Sequence, residues 1–264
     1  MWLILGVAIA AYGALRLSFG ALPQDPTYHL FVDTRTCLGI IPHAGDVLTN
    51  AAILAAGLFG LVLRPRMALA PDERAPANAL IAGAILTALG SAYYHWEPSN
   101  ATLVWDRLPM AIVLAAVLVL VMADRAHPLF ARYALWPFML FAMASVVFWG
   151  ASEAMGRGDL WLYLVVRVGS VVAIAFLLIL REPRYTGTKW VVCALACAVA
   201  LTVFERFDRE VFRLTGDLAS GHNLKHVAAG LTLACVFWWL RVRKLLPAQP
   251  VPISPDGEGE VGPG

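Results

Sequence analysis

Five polar residues stand within stretches that are otherwise apolar enough to span a membrane: Ser91, His95, Asp106, His222 and His226. An ionisable side chain is costly at such a depth and therefore usually serves a function. Three imidazoles and a carboxylate suit zinc or another transition metal, whereas magnesium and calcium prefer oxygen ligands. Three protein ligands leave one coordination position open for chemistry. These residue types predict a membrane-embedded metalloenzyme that binds Zn²⁺.

The composition agrees with a membrane location. Of the 264 residues, 60% are hydrophobic and 14% are charged, against roughly 45–50% apolar and about 25% charged residues in a soluble domain. The formal net charge of +2 is small and scattered along the chain. Because no basic run is interleaved with aromatic residues, we expect no nucleic-acid partner.

Eight apolar stretches are long enough to cross a bilayer, which takes about 20 residues. Their expected bounds are 2–20, 45–63, 77–97, 101–123, 129–150, 159–180, 189–205 and 222–240. We therefore predict an all-α, multi-pass transmembrane helix bundle with a seven-helix core and an extra N-terminal helix. A cleaved signal peptide is the alternative for the first stretch, but that stretch lacks a basic start and contains Arg16.

Three parts of the chain follow from this division. Residues 1–21 form an N-terminal transmembrane helix or an uncleaved signal anchor. Residues 22–246 form the seven-helix membrane domain. Residues 247–264 are rich in proline, glycine and acidic residues, and this composition predicts a disordered tail.

Arginine and lysine residues predict the orientation, because cytoplasmic loops are enriched in them. The connections after segments two, four and six, together with the tail, contain eleven: Arg64, Arg66, Arg74, Arg125, Arg132, Arg181, Arg184, Lys189, Arg241, Arg243 and Lys244. The opposite connections contain six: Arg35, Arg107, Arg157, Arg206, Arg209 and Arg213. We therefore expect a cytoplasmic C-terminus. We also expect Glu205 to Arg213 to form a short interfacial helix over the outer mouth of the bundle.

The predicted topology brings the five polar residues to one level, at the outer (periplasmic or lumenal) face. Ser91 and His95 end the third segment, Asp106 lies in the first two turns of the fourth, and His222 and His226 begin the eighth. Residues four apart share one helix face. His222 and His226 can therefore reach one ion together, and Ser91 stacks one turn from His95.

Structural roles compete with functional ones for several other polar residues. Cys193 and Cys197 lie one helical turn apart, and we interpret them as packed thiols rather than as half of a metal site. Arg167 lies inside the sixth segment, where it pairs with Glu153 or meets a lipid head group. The sequence does not choose between these two alternatives.

Around the five polar residues the chain resembles the alkaline ceramidase family. This family belongs to a superfamily of seven-helix membrane hydrolases that also includes the progestin/adiponectin-type receptors. The matching stretches are GSAYYH at 90–95, LVWDRLPM at 103–110 and GHNLKH at 221–226. They fit the family pattern of Ser-x3-His, an Asp eleven residues later followed by x-Leu-Pro-Met, and a late HxxxH. The resemblance extends over residues 28–243.

The resemblance implies a seven-helix barrel around a zinc site that hydrolyses a lipid amide. It assigns His95, His222 and His226 as zinc ligands. It further assigns Asp106 to hold and deprotonate the attacking water and Ser91 to stabilise the oxyanion.

The chain departs from the family at two places. Arg107 follows the aspartate where eukaryotic members have an acidic residue. Those members also carry an N-terminal calcium site of the form Asp-Trp-x-Glu-x-Asn, and the nearest stretch here, 33–38, keeps only its first acid, Asp33. We therefore do not predict calcium.

The sequence thus favours a zinc-dependent hydrolase that is surrounded by membrane lipids. We expect it to cleave a ceramide-like lipid amide into a fatty acid and a long-chain amine. The alternative is a receptor-like or structural membrane protein in which zinc joins helices. Its closed site would need Asp106 as a fourth protein ligand. A transporter that uses His and Asp as a proton relay is disfavoured, because no inverted repeat or pair of broken helices is evident.

Overall fold

The computed structural model describes residues 2–247. Within that range the chain forms ten α-helices and no β-strand, which confirms the all-α prediction. The helices are α1 (Trp2–Phe19), α2 (Ala44–Leu63), α3 (Arg74–Trp96), α4 (Asn100–Arg125), α5 (Leu129–Tyr133), α6 (Leu135–Ala154), α7 (Trp161–Leu180), α8 (Thr188–Arg206), α9 (Asp208–Leu214) and α10 (Gly221–Val242).

Seven helices in the described range are long and apolar enough to cross a membrane: α1, α2, α3, α4, α6, α7 and α8. The eighth long helix, α10, has 22 residues and is therefore about 33 Å long. It falls outside this set because His222, Asn223, Lys225 and His226 make its first turns polar. The eight predicted membrane segments therefore all form long helices, and the least apolar of them contains two of the predicted metal ligands.

Seven long helices pack into a bundle, and α1 lies outside it. Adjacent helices follow the order α8, α10, α2, α3 and α4, and α4 also contacts both α6 and α7. The α7–α8 pair is in contact only lightly, so the bundle is weakest there. Helix α1 packs against α7 and has no buried residue. This arrangement agrees with the predicted seven-helix core and additional N-terminal helix.

The fifth predicted segment was expected to be continuous, but the structure divides it at Ala134 into α5 and α6. Pro137, in the first turn of α6, has no N–H to donate to the Tyr133 carbonyl four residues earlier. Its ring would also clash with that carbonyl in a continuous helix. The proline therefore accounts for the break.

The predicted short helix at 205–213 is present as α9, although it begins three residues later. Glu205 belongs to the last turn of α8 instead. Its side chain is directed toward the bundle interior, where it meets Lys225.

The boundary of the predicted disordered tail lies at Pro247, and residues 248–264 lie outside the described range. The three-part domain division stays a prediction.

Glycines allow the helices that carry the polar residues to approach closely. A Cβ atom at Gly90 of α3 would overlap the carbonyl oxygen of Trp105 in α4. A Cβ atom at Gly230 of α10 would likewise overlap the Ala52 carbonyl of α2. Small residues at such crossings are typical of membrane helix pairs, which associate through close packing.

We expect Gly90→Ala to push α3 away from α4, because the added methyl group meets a backbone oxygen that has no freedom to rotate away. The free energy of unfolding should fall by about 1–3 kcal/mol, measured as a lower thermal midpoint in detergent. Gly169→Ala in α7 is the matched control, since nothing lies within 4 Å of a Cβ atom there. Equal midpoints for the two variants would contradict this account of the α3–α4 contact.

Candidate metal centre

The first turn of α10 is fixed by reciprocal hydrogen bonds at its N-terminus. The Ser220 hydroxyl accepts from the Asn223 N–H at 3.0 Å, and the Asn223 side-chain oxygen accepts from the Ser220 N–H at 3.0 Å. The next orphan donor, the His222 N–H, donates to the Asp208 carboxylate of α9 at 2.7 Å. These bonds satisfy N–H groups that a helix start leaves without partners. They place His222 and His226 on the inner face of the bundle.

His95, His222 and His226 come together as the sequence predicted. All three are buried, and one ring nitrogen of each lies within 4.8 Å of the others. The Nε2 atoms of His95 and His222 are 3.2 Å apart. Two imidazole nitrogens bound to one tetrahedral zinc ion at about 2.0–2.1 Å are about 3.3–3.4 Å apart. The spacing of the histidine trio therefore suits a metal ion of this size.

Thr49 of α2 fixes the orientation of the His226 ring. Its hydroxyl donates its only proton to the Gly45 carbonyl at 2.7 Å. The same oxygen lies 2.9 Å from His226 Nδ1, so it accepts a proton from that nitrogen. The Nε2 atom of His226 then keeps its lone pair and is free to bind a metal. A hydrogen bond to the far nitrogen is the usual support for a histidine ligand.

The segment between α1 and α2 covers the histidine trio. The Phe31 ring lies 4.7 Å from the His95 ring and 5.1 Å from the His222 ring, centroid to centroid. Two residues later the buried Asp33 carboxylate accepts hydrogen bonds from the Arg35 side chain at 2.6 and 2.8 Å. Burial alone would raise the pKa of Asp33, but the hydrogen bonds from Arg35 lower it below its usual range. Asp33 is thus held as a carboxylate by an arginine two residues away.

Ser91 and Asp106 lie beside the trio and line one cavity with His226. The cavity has a volume of about 60 Å³. Its lining contains polar residues from five helices and from the segment before α2: Tyr28, Thr87, Ser91, Asp106, Arg107, Tyr163, Arg167, Glu205, Lys225 and His226. All five residues singled out in the sequence are therefore in the trio, the cavity lining or both.

A chain of charged residues extends from the trio to the α7–α8 contact. Lys225 Nζ lies 3.4 Å from His222 Nε2 and donates to the Glu205 carboxylate at 2.7 Å. Glu205 also accepts from the Tyr28 hydroxyl at 3.1 Å and lies 3.7 Å from Arg167. Arg167 therefore pairs with Glu205, which was neither of its two predicted partners. Glu205 thus neutralises a cation beside the trio.

Glu153, the partner considered for Arg167, has a different role. Its carboxylate accepts from the Gln24 N–H at 2.6 Å and from the Trp149 indole at 3.2 Å. It therefore joins the segment before α2 to α6. Arg107 also contacts that segment, donating to the Gln24 side-chain oxygen at 2.8 Å.

A second group of possible ligands lies on α8 and α10. The sulfur atoms of Cys193, Cys197 and Cys235 lie within 4.8 Å of one another, with Cys193 and Cys235 at 3.5 Å. The sequence paired Cys193 with Cys197 and did not include Cys235. Cys193 is exposed on the surface of the bundle, unlike the buried histidines.

Sequence reasoning missed three residues that support the site: Thr49, Phe31 and Lys225. Lys225 carried a detectable signal, because an ammonium group inside an apolar segment is as costly as the histidines beside it. Thr49 and Phe31 carried none, since threonine and phenylalanine are ordinary in such stretches. Their contacts arise only from how α2 and the segment before it pack on α10.

No protein-family model, curated protein or solved structure matches this chain. The structure brings together three buried histidines that could bind a metal ion.

We expect Thr49→Val to weaken metal binding while the bundle stays folded, because the His226 ring loses the acceptor that fixes its orientation. Loss of such a partner typically lowers metal affinity by about 10- to 100-fold. Competition for zinc against a chromophoric chelator, in detergent, measures the affinity. Thr232→Val is the matched control: its hydroxyl donates to the Ala228 carbonyl of its own helix at 2.9 Å. Equal zinc affinity in the two variants would show that Thr49 does not support metal binding.

Proposed function

We propose that this chain is an integral membrane, zinc-dependent hydrolase that cleaves a lipid amide bond. The observation that carries the proposal is the trio of buried histidines next to a cavity that Asp106 and Ser91 line. A bound zinc ion would polarise the amide carbonyl and lower the pKa of a coordinated water to about 7. The resemblance to alkaline ceramidases supports the same reaction and the same residues.

Three residues of the chain have the other roles in the proposed reaction. Asp106 accepts the proton of the attacking water and passes it to the nitrogen of the leaving amine, which would otherwise depart as an unstable anion. Ser91 donates a hydrogen bond to the carbonyl oxygen as negative charge develops on it. Phe31 covers the trio on one side and restricts access of bulk water to the reacting atoms.

The composition of the trio favours catalysis over a zinc ion that only joins helices. A closed site needs four protein ligands. Within residues 2–247, the group that lies within ligand distance comprises three histidines and no carboxylate. Asp106 belongs instead to the adjoining cavity. The fourth position is thereby left for water and substrate.

A lipid substrate needs a path from the bilayer, and the α7–α8 contact supplies the best one. These two helices touch only lightly, and Tyr163, Arg167, Leu201 and Glu205 from them line the cavity. We infer from the lysine and arginine distribution that the C-terminus lies in the cytoplasm and that this end of the bundle lies at the outer face. An acyl chain would then enter sideways from the outer leaflet.

We expect Asp106→Asn to retain zinc and lose at least about 100-fold in turnover of a ceramide or another N-acyl amine, because general acid–base transfer contributes about 10²- to 10⁴-fold. Fatty-acid release from detergent-solubilised substrate, together with zinc per chain on the same sample, measures both properties. Asp25→Asn is the control, since Asp25 is exposed and, among residues 2–247, its side chain accepts hydrogen bonds only from Thr27.

A zinc-loaded and fully active Asp106→Asn protein would exclude the assigned role of this carboxylate. Wild-type protein that contains zinc and releases no fatty acid from any N-acyl amine would contradict the proposed hydrolase function itself.

A further inference from the structure

The cavity beside the trio has more positive than negative charge. Its lining contains three cations, Arg107, Arg167 and Lys225, against two carboxylates, Asp106 and Glu205. A divalent metal ion at the trio would add two further positive charges. Low-dielectric walls strengthen the resulting field and raise the local concentration of anions. A neutral lipid amide would leave this excess uncompensated.

Arg107 is the least satisfied of the three cations. It is only 4% exposed, yet it forms no ion pair within residues 2–247. One guanidinium nitrogen donates to Gln24, whereas the other terminal nitrogen, Nη1, is buried without a hydrogen-bond partner. The planar group stacks over the Trp149 ring at 4.1 Å and the Tyr163 ring at 4.8 Å. A buried charge that is not paired is costly, so its retention indicates a missing anion.

Arg167 is also incompletely neutralised. The only carboxylate within 4 Å of it in the described chain is Glu205, at 3.7 Å, and Lys225 holds the same carboxylate more closely at 2.7 Å. The buried Arg125, at the other end of the bundle, is better matched, because it pairs with Asp124 at 3.0 Å and also donates to the Thr188 hydroxyl at 2.7 Å. Arg107 and Arg167 therefore share a deficit of negative charge within one cavity.

We propose that the amine half of the substrate carries a compact anion, a carboxylate or a phosphate, which binds between Arg107 and Arg167. Guanidinium groups match both anions with two parallel hydrogen bonds. The cavity volume of about 60 Å³ leaves room for a compact group of this kind. The substrate class is then an N-acyl amino acid or an N-acyl amino phosphate, rather than a neutral ceramide. This inference rests on the proposed amide hydrolase function.

Binding is tested on detergent-purified protein stripped of metal with a chelator, so that no turnover interferes. Isothermal titration compares N-octanoylglycine and N-octanoyl phosphoethanolamine with neutral N-octanoylglycinamide and with octanoate. We expect at least one of the two acylated anions to bind about 10-fold or more tightly than the neutral amide. The tighter of the two identifies the anion as carboxylate or phosphate.

Arginine variants test where the preference arises. Arg107→Gln and Arg167→Gln should each reduce the ratio of anionic to neutral affinity by about 10-fold or more. Arg132→Gln removes an exposed arginine of α5 and should leave the ratio unchanged. Arg107 also donates to Gln24, so the Arg107→Gln result counts only if that variant has the thermal midpoint of the wild type. If its midpoint differs, the Arg167→Gln result alone tests the inference.

Equal affinity for the anionic and neutral amides would overturn the inference. Octanoate binding as tightly as N-octanoylglycine would also overturn it, since the cavity would then recognise a fatty acid rather than the amine half. A clear preference for the anionic amides without their hydrolysis by the zinc-loaded protein would support this site while contradicting the proposed hydrolase activity. The two claims therefore fail separately.

Discussion

The fold depends on bringing three imidazoles together in an apolar bundle without leaving their polar atoms unpaired. Burial of a polar group costs free energy unless a hydrogen bond or a metal ion compensates it. Thr49 provides this compensation for His226. His95 Nδ1 has no hydrogen-bond partner in residues 2–247, and its Nε2 atom faces the other two rings. A metal ion shared by the three rings would convert an unfavourable cluster into a stabilising one.

The two ends of the bundle solve the problem of buried charge in opposite ways. At one end Asp124 accepts from the backbone N–H groups of Arg184 and Tyr185, and Arg243 pairs with Glu73. These contacts join helix ends and give both buried carboxylates hydrogen-bond donors. At the other end the lining of the cavity contains more cations than carboxylates. An imbalance of this kind is expected at a functional site, where stability is given up for binding.

Much of this arrangement follows from two features of the sequence, the lengths of its apolar stretches and the spacing of His222 and His226. The apolar lengths give the eight long helices, and alternation of their direction brings His95, Asp106 and His222 to one end. The four-residue spacing of His222 and His226 then directs both rings to one point. Apolar length alone does not predict the break at Ala134, because Pro137 lies within an apolar run.

The rest of the site could not be predicted because it depends on tertiary contacts. The positions of Thr49 and Phe31 are set by how α2 and the preceding segment pack on α10. The partner of Arg167 depends on the end of α8, which extends far enough to bring Glu205 opposite Lys225. Side-chain pairing between helices distant in sequence leaves no local pattern to detect.

Metal content is the most direct test of the central claim that the trio is a metal site. Elemental analysis of detergent-purified wild type and His222→Ala, prepared without added metal, gives zinc per chain. The account predicts close to one zinc in the wild type and little in the variant. Folded wild-type protein with as little zinc as the variant would contradict it.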